Sequence, residues 1–335
     1  MTSEIRGLRP EELQAHNELV FISYSHGRRL DPDSALDRML SRPDWWIKGV
    51  TRSSTYQPEQ TRVMVIDGRL VCSVTCHPRP SYIAGKTVSA VCIGSVCTHP
   101  SCRRQGLLRQ VLAEAIDWMK SQGVLWSFLY GNEAVYGGSG WKHLTSWSLS
   151  VDIPPREEFG TRITARPASA EADATTLISI YEEFNGKLTG PTARDESYWR
   201  SRVLSHGEHN VYTLLEREGA PVGYFAGADA TIAELGWTDY PHDVLAFLLR
   251  QWPCQRVSIP LCNSSILEVL KAISAIPGQR DHHEHPAGVT LQDTSRGLWH
   301  YHQDPEGLFP EFADTQGLLQ FLRGHDYLMW SVDRT

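Results

Sequence analysis

The chain has 335 residues, 41% of them hydrophobic and 21% charged, with a formal net charge of -7 at pH 7. That balance excludes a disordered chain, which lacks the apolar residues for a core. It also argues against a dedicated nucleic-acid binder, which needs a basic face for the phosphates. No apolar run reaches the ~18 residues of a membrane span, and the N-terminal MTSEIRGLRPEEL has neither a signal nor a transit-peptide pattern. Single cores stop growing at roughly 250–300 residues, so two domains, or one large one, are expected. Of the seven cysteines, five lie in the short stretch from Cys72 to Cys102. Their odd number fits reduced thiols in a cytoplasmic protein better than a disulfide framework.

Taken in order, residues from Pro10 to Ser41 read as helical, broken near Gly27 and Pro32. Arg62 to Val74 reads as two alternating strands joined at Asp67-Gly68, a hairpin signal. Lys86 to Thr98 is a third run of small and β-branched residues. After the loop HPSCRRQG, Leu108, Val111, Leu112, Ala115, Trp118 and Met119 recur at helical spacing, and Gly123 is a natural stop. Val124–Tyr130 alternates as a strand, GNEAVYGGSG is a short turn or helix, and Trp141–Val151 is a last strand region.

Prolines at 154 and 155, followed by Arg156-Glu157-Glu158, read as a linker. The rhythm then repeats. Strands are predicted at Thr161–Arg166, Val211–Leu215, Pro221–Ala226, Thr231–Leu235 and Arg256–Leu261, and helices at Ala172–Asn185, Tyr240–Gln251 and Ser265–Ser274. The final segment carries the strand-like LWHYH from Leu298, a helix around Thr315–Leu322 and an apolar end, Tyr327–Val332. Two halves of similar element order suggest a duplicated fold.

The stretch from Val96 to Arg109, VCTHPSCRRQGLLR, carries the most chemistry. A strand runs into a loop with two arginines and a glycine, and the loop opens a helix. Helix N-termini offer unsatisfied N–H donors and a partial positive charge, which suits a pyrophosphate. The Gly-Lys-Ser/Thr of a P-loop and the glycine spacing of a dinucleotide fingerprint are both absent.

This loop resembles motif A of the GNAT superfamily of N-acetyltransferases, Arg/Gln-x-x-Gly-x-Gly/Ala, matched by Arg103, Gly106 and Leu108, the last departing from Gly/Ala. The wider THPSCRRQGLLRQVL is similar to the Eis-like branch, where leucine is usual at that position. A second segment, Asn132 to Trp141, resembles the family's Tyr-Gly-x-x-Gly-Tyr/Trp. The resemblance implies an α+β chain of tandem GNAT folds, each a mixed, mostly antiparallel twisted sheet flanked by helices. Residues 1–153 would be the catalytic domain, 161–290 a degenerate copy, and 291–335 an extension completing or packing on that copy. At the corresponding turn of the copy, Leu235 to Tyr240 has no arginine and no phosphate loop. Some 45 residues beyond 290 are too few for the sterol-carrier-like domain that ends Eis proteins, which puts in doubt a terminal-carboxylate base at Thr335 and the oligomer of those proteins.

By the same resemblance the chain is an enzyme that transfers an acetyl group from acetyl-CoA, its co-substrate, to a primary amine of a small molecule or peptide. Val96, Cys97 and Thr98 would contact the pantetheine arm, and Arg103, Arg104, Gln105, Gly106, Leu107, Leu108 and Arg109 would surround the pyrophosphate. Asn132 matches another cofactor contact. Tyr136 would protonate the departing thiolate, reasonable for a phenol of pKa near 10. No metal, nucleic acid or membrane partner is implied.

Other readings stay open at this point. Glu133 and His99 are available by type as the base for the amine, and so is a water chain. Cys97 or Cys102 could carry an acyl group. Cys97, His99, Cys102, Cys72, Cys76 and His77 could be imagined as a zinc set, and 281–285 (DHHEH) as a metal loop or a solvated one. Trp45 and Trp46 line an acceptor pocket or merely close the sheet. From another class, the chain could be a non-catalytic acyl-CoA sensor or a degenerate scaffold.

Overall fold

A computed structural model describes residues 2–27, 35–51, 56–204, 211–253, 255–274, 288–293, 297–310 and 313–324. Pro32, the DHHEH loop at 281–285, the apolar end 327–332 and Thr335 lie outside the described residues.

The first half forms β1 (Ser3–Gly7), α1 (Leu13–Ser25), α2 (Ala35–Leu40), α3 (Trp45–Thr51), β2 (Thr61–Ile66), β3 (Arg69–Pro78), the small hairpin β4 (Ser81–Ile83) and β5 (Lys86–Val88), and β6 (Ala90–Thr98). It continues through α4 (Leu107–Ser121), β7 (Trp126–Tyr130), α5 (Glu133–Tyr136), β8 (Lys142–His143) and β9 (Trp147–Val151). The β2–β3 hairpin turns at Asp67 and Gly68, both at positive φ, as an Asp-Gly type I′ turn demands. The predicted run Lys86–Thr98 is two strands, because Ser89 separates β5 from β6. α4 starts one residue before its first periodic leucine and is followed by Gly123 at φ 70.

The second half forms β10 (Ile163–Pro167), α6 (Ala174–Asn185), α7 (Glu196–Tyr198), β11 (Tyr212–Arg217), β12 (Ala220–Ala228), β13 (Thr231–Trp237), α8 (Pro241–Arg250), β14 (Val257–Ile259) and α9 (Ser264–Ile273). It ends with β15 (Val289–Asp293), β16 (Gly297–Tyr301) and α10 (Thr315–Gly324).

Two seven-stranded sheets result, ordered β1-β2-β3-β6-β7-β16-β8 and β10-β11-β12-β13-β14-β9-β15. They repeat one pattern strand for strand. Four antiparallel strands are followed by one parallel neighbour, β6 to β7 or β13 to β14, and then by two antiparallel strands. In each sheet the sixth strand comes from the other half of the chain. β9 lies between β14 and β15, whereas β16 lies between β7 and β8.

This exchange corrects two expectations. Trp141–Val151 is not one strand of the first sheet: β8 stays, and β9 crosses to the second. The extension after 290 does not merely complete the second body, since β16 pairs with β7 from Gly297↔Tyr130 to Tyr301↔Trp126. Leu318, Leu319 and Leu322 of α10 share a buried cluster with Trp126 and Phe128 of β7. The physical reason is that β7 presents buried residues on both faces and needs a neighbour on its far edge.

Other contacts fasten the halves. Tyr82 N–H donates to the Pro191 carbonyl at 2.8 Å, Gly190 N–H to that of Tyr82 at 2.8 Å and Ala193 N–H to that of Pro80 at 2.6 Å. The predicted linker is also held, by Arg156 N–H on the Ile273 carbonyl at 2.8 Å and by Arg250 on the carbonyls of Phe159 and Arg156. Deep in the second body, Arg194 forms a two-pronged pair with Glu234, at 3.0 and 2.6 Å, with neither side chain exposed. Tyr224 donates to the same carboxylate at 2.8 Å. No helix among the described residues is long and apolar enough to cross a membrane.

Candidate active site

The site forms where two parallel strands part. β6 pairs with β7 only at Ala90↔Trp126, Val91↔Ser127 and Cys92↔Phe128. β6 then runs on to Thr98 beside β3, with a register shift against β3 and Ser95 at φ 47. Such a bulge redirects the backbone, and the Trp46 indole N–H pins it through a 2.8 Å bond to the Ser95 hydroxyl. β6 therefore presents an open edge of backbone donors and acceptors from Ile93 to Thr98 on the side of β7.

A cleft of about 620 Å³ opens there. Its walls are Ser23 and Tyr24 of α1, Val96, Cys97 and Thr98 of β6, and Val135 and Tyr136 of α5. Cys102, Arg103, Arg104, Gly106, Leu107 and Leu108 close it along the loop and the start of α4. Arg104 and Gly106 have left-handed backbones, φ 62 and 75. Nothing lies within 4 Å of the Cβ position of Gly106. As the N-cap of a 15-residue helix, Gly106 supplies no side-chain cap, and the first turn carries no acid. No side chain caps the N–H groups of that turn, and the macrodipole there favours an anion. Arg62 holds α4 on the sheet through paired contacts with the Glu114 carboxylate.

Nine predicted residues line this cleft: Val96, Cys97, Thr98, Arg103, Arg104, Gly106, Leu107, Leu108 and Tyr136. Three predicted residues are not among the lining. Gln105 reaches back to the Ser101 carbonyl at 3.4 Å. Arg109 points along α4 to the turn after Tyr136, where its Nη2 lies 3.5 Å from the Cβ position of Gly138. Asn132 caps α5 by accepting the Ala134 N–H at 2.9 Å. Arg103 is engaged too, donating to the carbonyls of Thr98 at 3.3 Å and Ser23 at 2.7 Å.

The Tyr136 ring packs against the backbone of Gly131, whose Cβ position is 2.6 Å from Cε2. Burial raises the Tyr136 pKa, which favours the neutral phenol over the phenolate. Cys97 hydrogen-bonds the Ser73 hydroxyl at 3.0 Å, and Ser73 in turn bonds His16 Nε2 at 2.8 Å. Burial pushes the Cys97 thiol up to about 12 and His16 down to about 3. Both shifts disfavour a thiolate–imidazolium pair at Cys97 and His16. The base candidates Glu133 and His99 do not line the cleft, and His99 Nδ1 is paired with the Ser101 hydroxyl at 2.8 Å. Among the described residues, no group of three or more His, Cys, Asp and Glu side chains could hold a metal ion.

Sequence reasoning missed Ser23 and Tyr24. They sit in the last turn of α1, far from the motif in sequence, and only the packing of α1 on β6 brings them to the cleft. The Tyr24 hydroxyl donates to the Val96 carbonyl at 3.3 Å.

In the second body the corresponding helix start differs in charge, carrying an acid in its first turn. Asp243 stands in the first turn of α8 and accepts the Gly160 N–H at 2.8 Å. Arg217 pairs with Asp243 at 3.3 Å and covers the Tyr240 ring at 3.8 Å.

The first body is thus an α+β fold, a mixed sheet whose one parallel pair opens beside an arginine-flanked helix start. Residues 4–144 match the family model described as acetyltransferase (GNAT) domain. An uncharacterized N-acetyltransferase of Streptomyces avermitilis is 25% identical over 161 residues, 44% of this chain. The match spans only 38% of that protein's length. Among solved structures, a conserved protein of Enterococcus faecalis superposes with a TM-score of 0.65 at 15% identity, covering 92% of this chain and 75% of that one. The Eis1 protein of Mycobacterium abscessus superposes with a TM-score of 0.59 at 15% identity, covering 91% and 75%. At that identity the structures speak for the fold alone.

Proposed function

We propose that the protein is an N-acetyltransferase that moves an acetyl group from acetyl-CoA to a primary amine of a small molecule or peptide, within a tandem GNAT chain whose second copy no longer binds the thioester. One observation carries this reading. An open strand edge, an uncapped cationic helix start and a buried phenol face the same cleft. Each suits a different part of an acyl-CoA: the amides of the pantetheine arm, the pyrophosphate and the sulfur.

The pyrophosphate would rest on the first-turn N–H groups of α4, with Arg104 and Arg109 adding charge. The arm would add to the edge of β6 as a short extra strand, and a backbone N–H between Val96 and Thr98 would stabilise the oxyanion. The amine attacks the thioester carbonyl directly as its free base, since an alkylammonium of pKa ~10 has no lone pair to offer. As the C–S bond breaks, Tyr136 protonates the sulfur. The acid in the first turn of α8, where α4 has none, disfavours a second pyrophosphate and supports one thioester per chain.

Calorimetric titration with acetyl-CoA tests this, comparing the wild type with Gly106→Trp, whose side chain would project into the cradle. Saturable binding in the wild type alone, followed by amine-dependent thiol release, is the expected result. Binding without turnover across a broad amine panel would leave a sensor. No binding to folded wild type would leave a scaffold.

A further inference from the structure

The phenol of Tyr24 has no part in the mechanism above, yet it lines the same cleft as Tyr136. Its position is fixed from two sides. Arg103 Nη2 donates to the carbonyl of the neighbouring Ser23 at 2.7 Å, which locks the last turn of α1. The ring stands edge-on to Trp45, with centroids 6.2 Å apart. Its hydroxyl spends its single proton on the Val96 carbonyl at 3.3 Å, a long bond for an O–H donor and so a cheap one to exchange. That carbonyl belongs to the stretch of β6 that β7 leaves unpaired. Burial, and the proximity of Cys97 and Tyr136, hold the Tyr24 pKa well above its ordinary value. That shift favours the protonated hydroxyl, the form that can donate.

We propose that Tyr24 is a positioning residue for the acid step, donating its hydroxyl proton in a hydrogen bond to the phenolate that Tyr136 becomes. This rests on the acetyltransferase reading. The amine nitrogen bonds to the acyl carbon, and the C–S electron pair leaves with the sulfur. The sulfur takes the Tyr136 proton. Tyr136 is then an anion in a buried cleft, where an unpartnered charge is costly. An amide N–H of the bound arm takes over the Val96 carbonyl, freeing the Tyr24 hydroxyl to turn to that anion. The surplus proton on the new amide nitrogen returns to Tyr136 and closes the balance.

The test pairs kinetics with a measurement that needs no turnover. In Tyr24→Phe, kcat is expected to fall about 10-fold with the KM for acetyl-CoA nearly unchanged. In a Tyr136→Phe background the same substitution should cost nothing further. With tyrosines labelled with carbon-13 at Cζ, and Tyr136 assigned by its loss in Tyr136→Phe, the Tyr136 phenol of the coenzyme A complex should titrate about one unit higher in Tyr24→Phe. Equal losses in both backgrounds overturn the proposal. So does a raised KM at constant kcat, or an unmoved Tyr136 titration. If the wild type turns over no amine, the acetyltransferase reading fails, while the titration still decides whether the two phenols act as a pair.

Discussion

Replacing Trp299 with alanine probes the exchanged strand. Trp299 is 1% exposed, lies on β16 and stacks on Phe128 of β7 with ring centroids 6.1 Å apart. Its cluster also holds Trp126, Leu144, Phe309 and three leucines of α10, so β7, the loop after β8 and the C-terminal helix all lose packing. Truncating a buried Trp costs about 3–5 kcal/mol, against a total stability of about 5–15 kcal/mol. With a urea dependence of about 3 kcal/mol per molar, the midpoint should fall by about 1 M or more. Because two bodies need not unfold together, the decisive assay is hydrogen exchange followed by mass spectrometry. Protection should be lost first in Trp126–Tyr130 and Gly297–Tyr301, with acetyl-CoA binding weakened in the same variant. A loss confined to β10 through β15, or a destabilisation below about 1 kcal/mol, would refute the exchange.

Three further outcomes are expected. Tyr136→Phe should lower kcat by about 100-fold or more and shift the KM for acetyl-CoA little; steady-state thiol release over several amines measures both. Glu234→Gln should cost about 3–5 kcal/mol by removing the charge that opposes the buried Arg194 guanidinium, which lies 4.2 and 5.1 Å from the ring centroids of Tyr181 and Trp199; equilibrium denaturation reads it, and binding at the cleft should persist in the folded fraction. Acid should destabilise the fold through buried histidines. Burial lowers His16 to about 3, His300 to about 4 and His302 to about 3. The folded state keeps these rings neutral while the unfolded chain binds protons below about 6.5. Stability is therefore complete above that pH and falls as the pH drops toward 4, by about 1.4 kcal/mol per unit for each ring. Denaturation midpoints between pH 7 and 4.5 check it, and His302→Gln should flatten the slope.

The elements that read well have local causes. Asp67-Gly68 marks its hairpin because few other dipeptides tolerate two positive φ angles, both seen here. The start of α4 was legible because two arginines and a glycine at a helix N-terminus make little sense without an anion. Tyr136 was legible from its glycine-rich surroundings and the resemblance they carry. Tyr24 was not, because a tyrosine at the end of an amphipathic helix carries no mark of the cleft it will face.

Trp147–Val151 and Gly297–Tyr301 show the limit most clearly. Their composition predicts strands, and strands they are. Nothing within either segment says which sheet takes it, since edge pairing depends on partners more than a hundred residues away. The sequence by itself therefore determined most of the longer secondary elements, the cationic helix start and the position of the phenol after β7. Those depend on backbone sterics and on side chains within a few positions of one another. Only the tertiary structure decided that the halves exchange their sixth strands, that β6 parts from β7 after Cys92, and that α1 brings a second phenol to the opening. These are outcomes of how buried faces find each other across the chain, and such pairing is a property of the whole fold rather than of any segment.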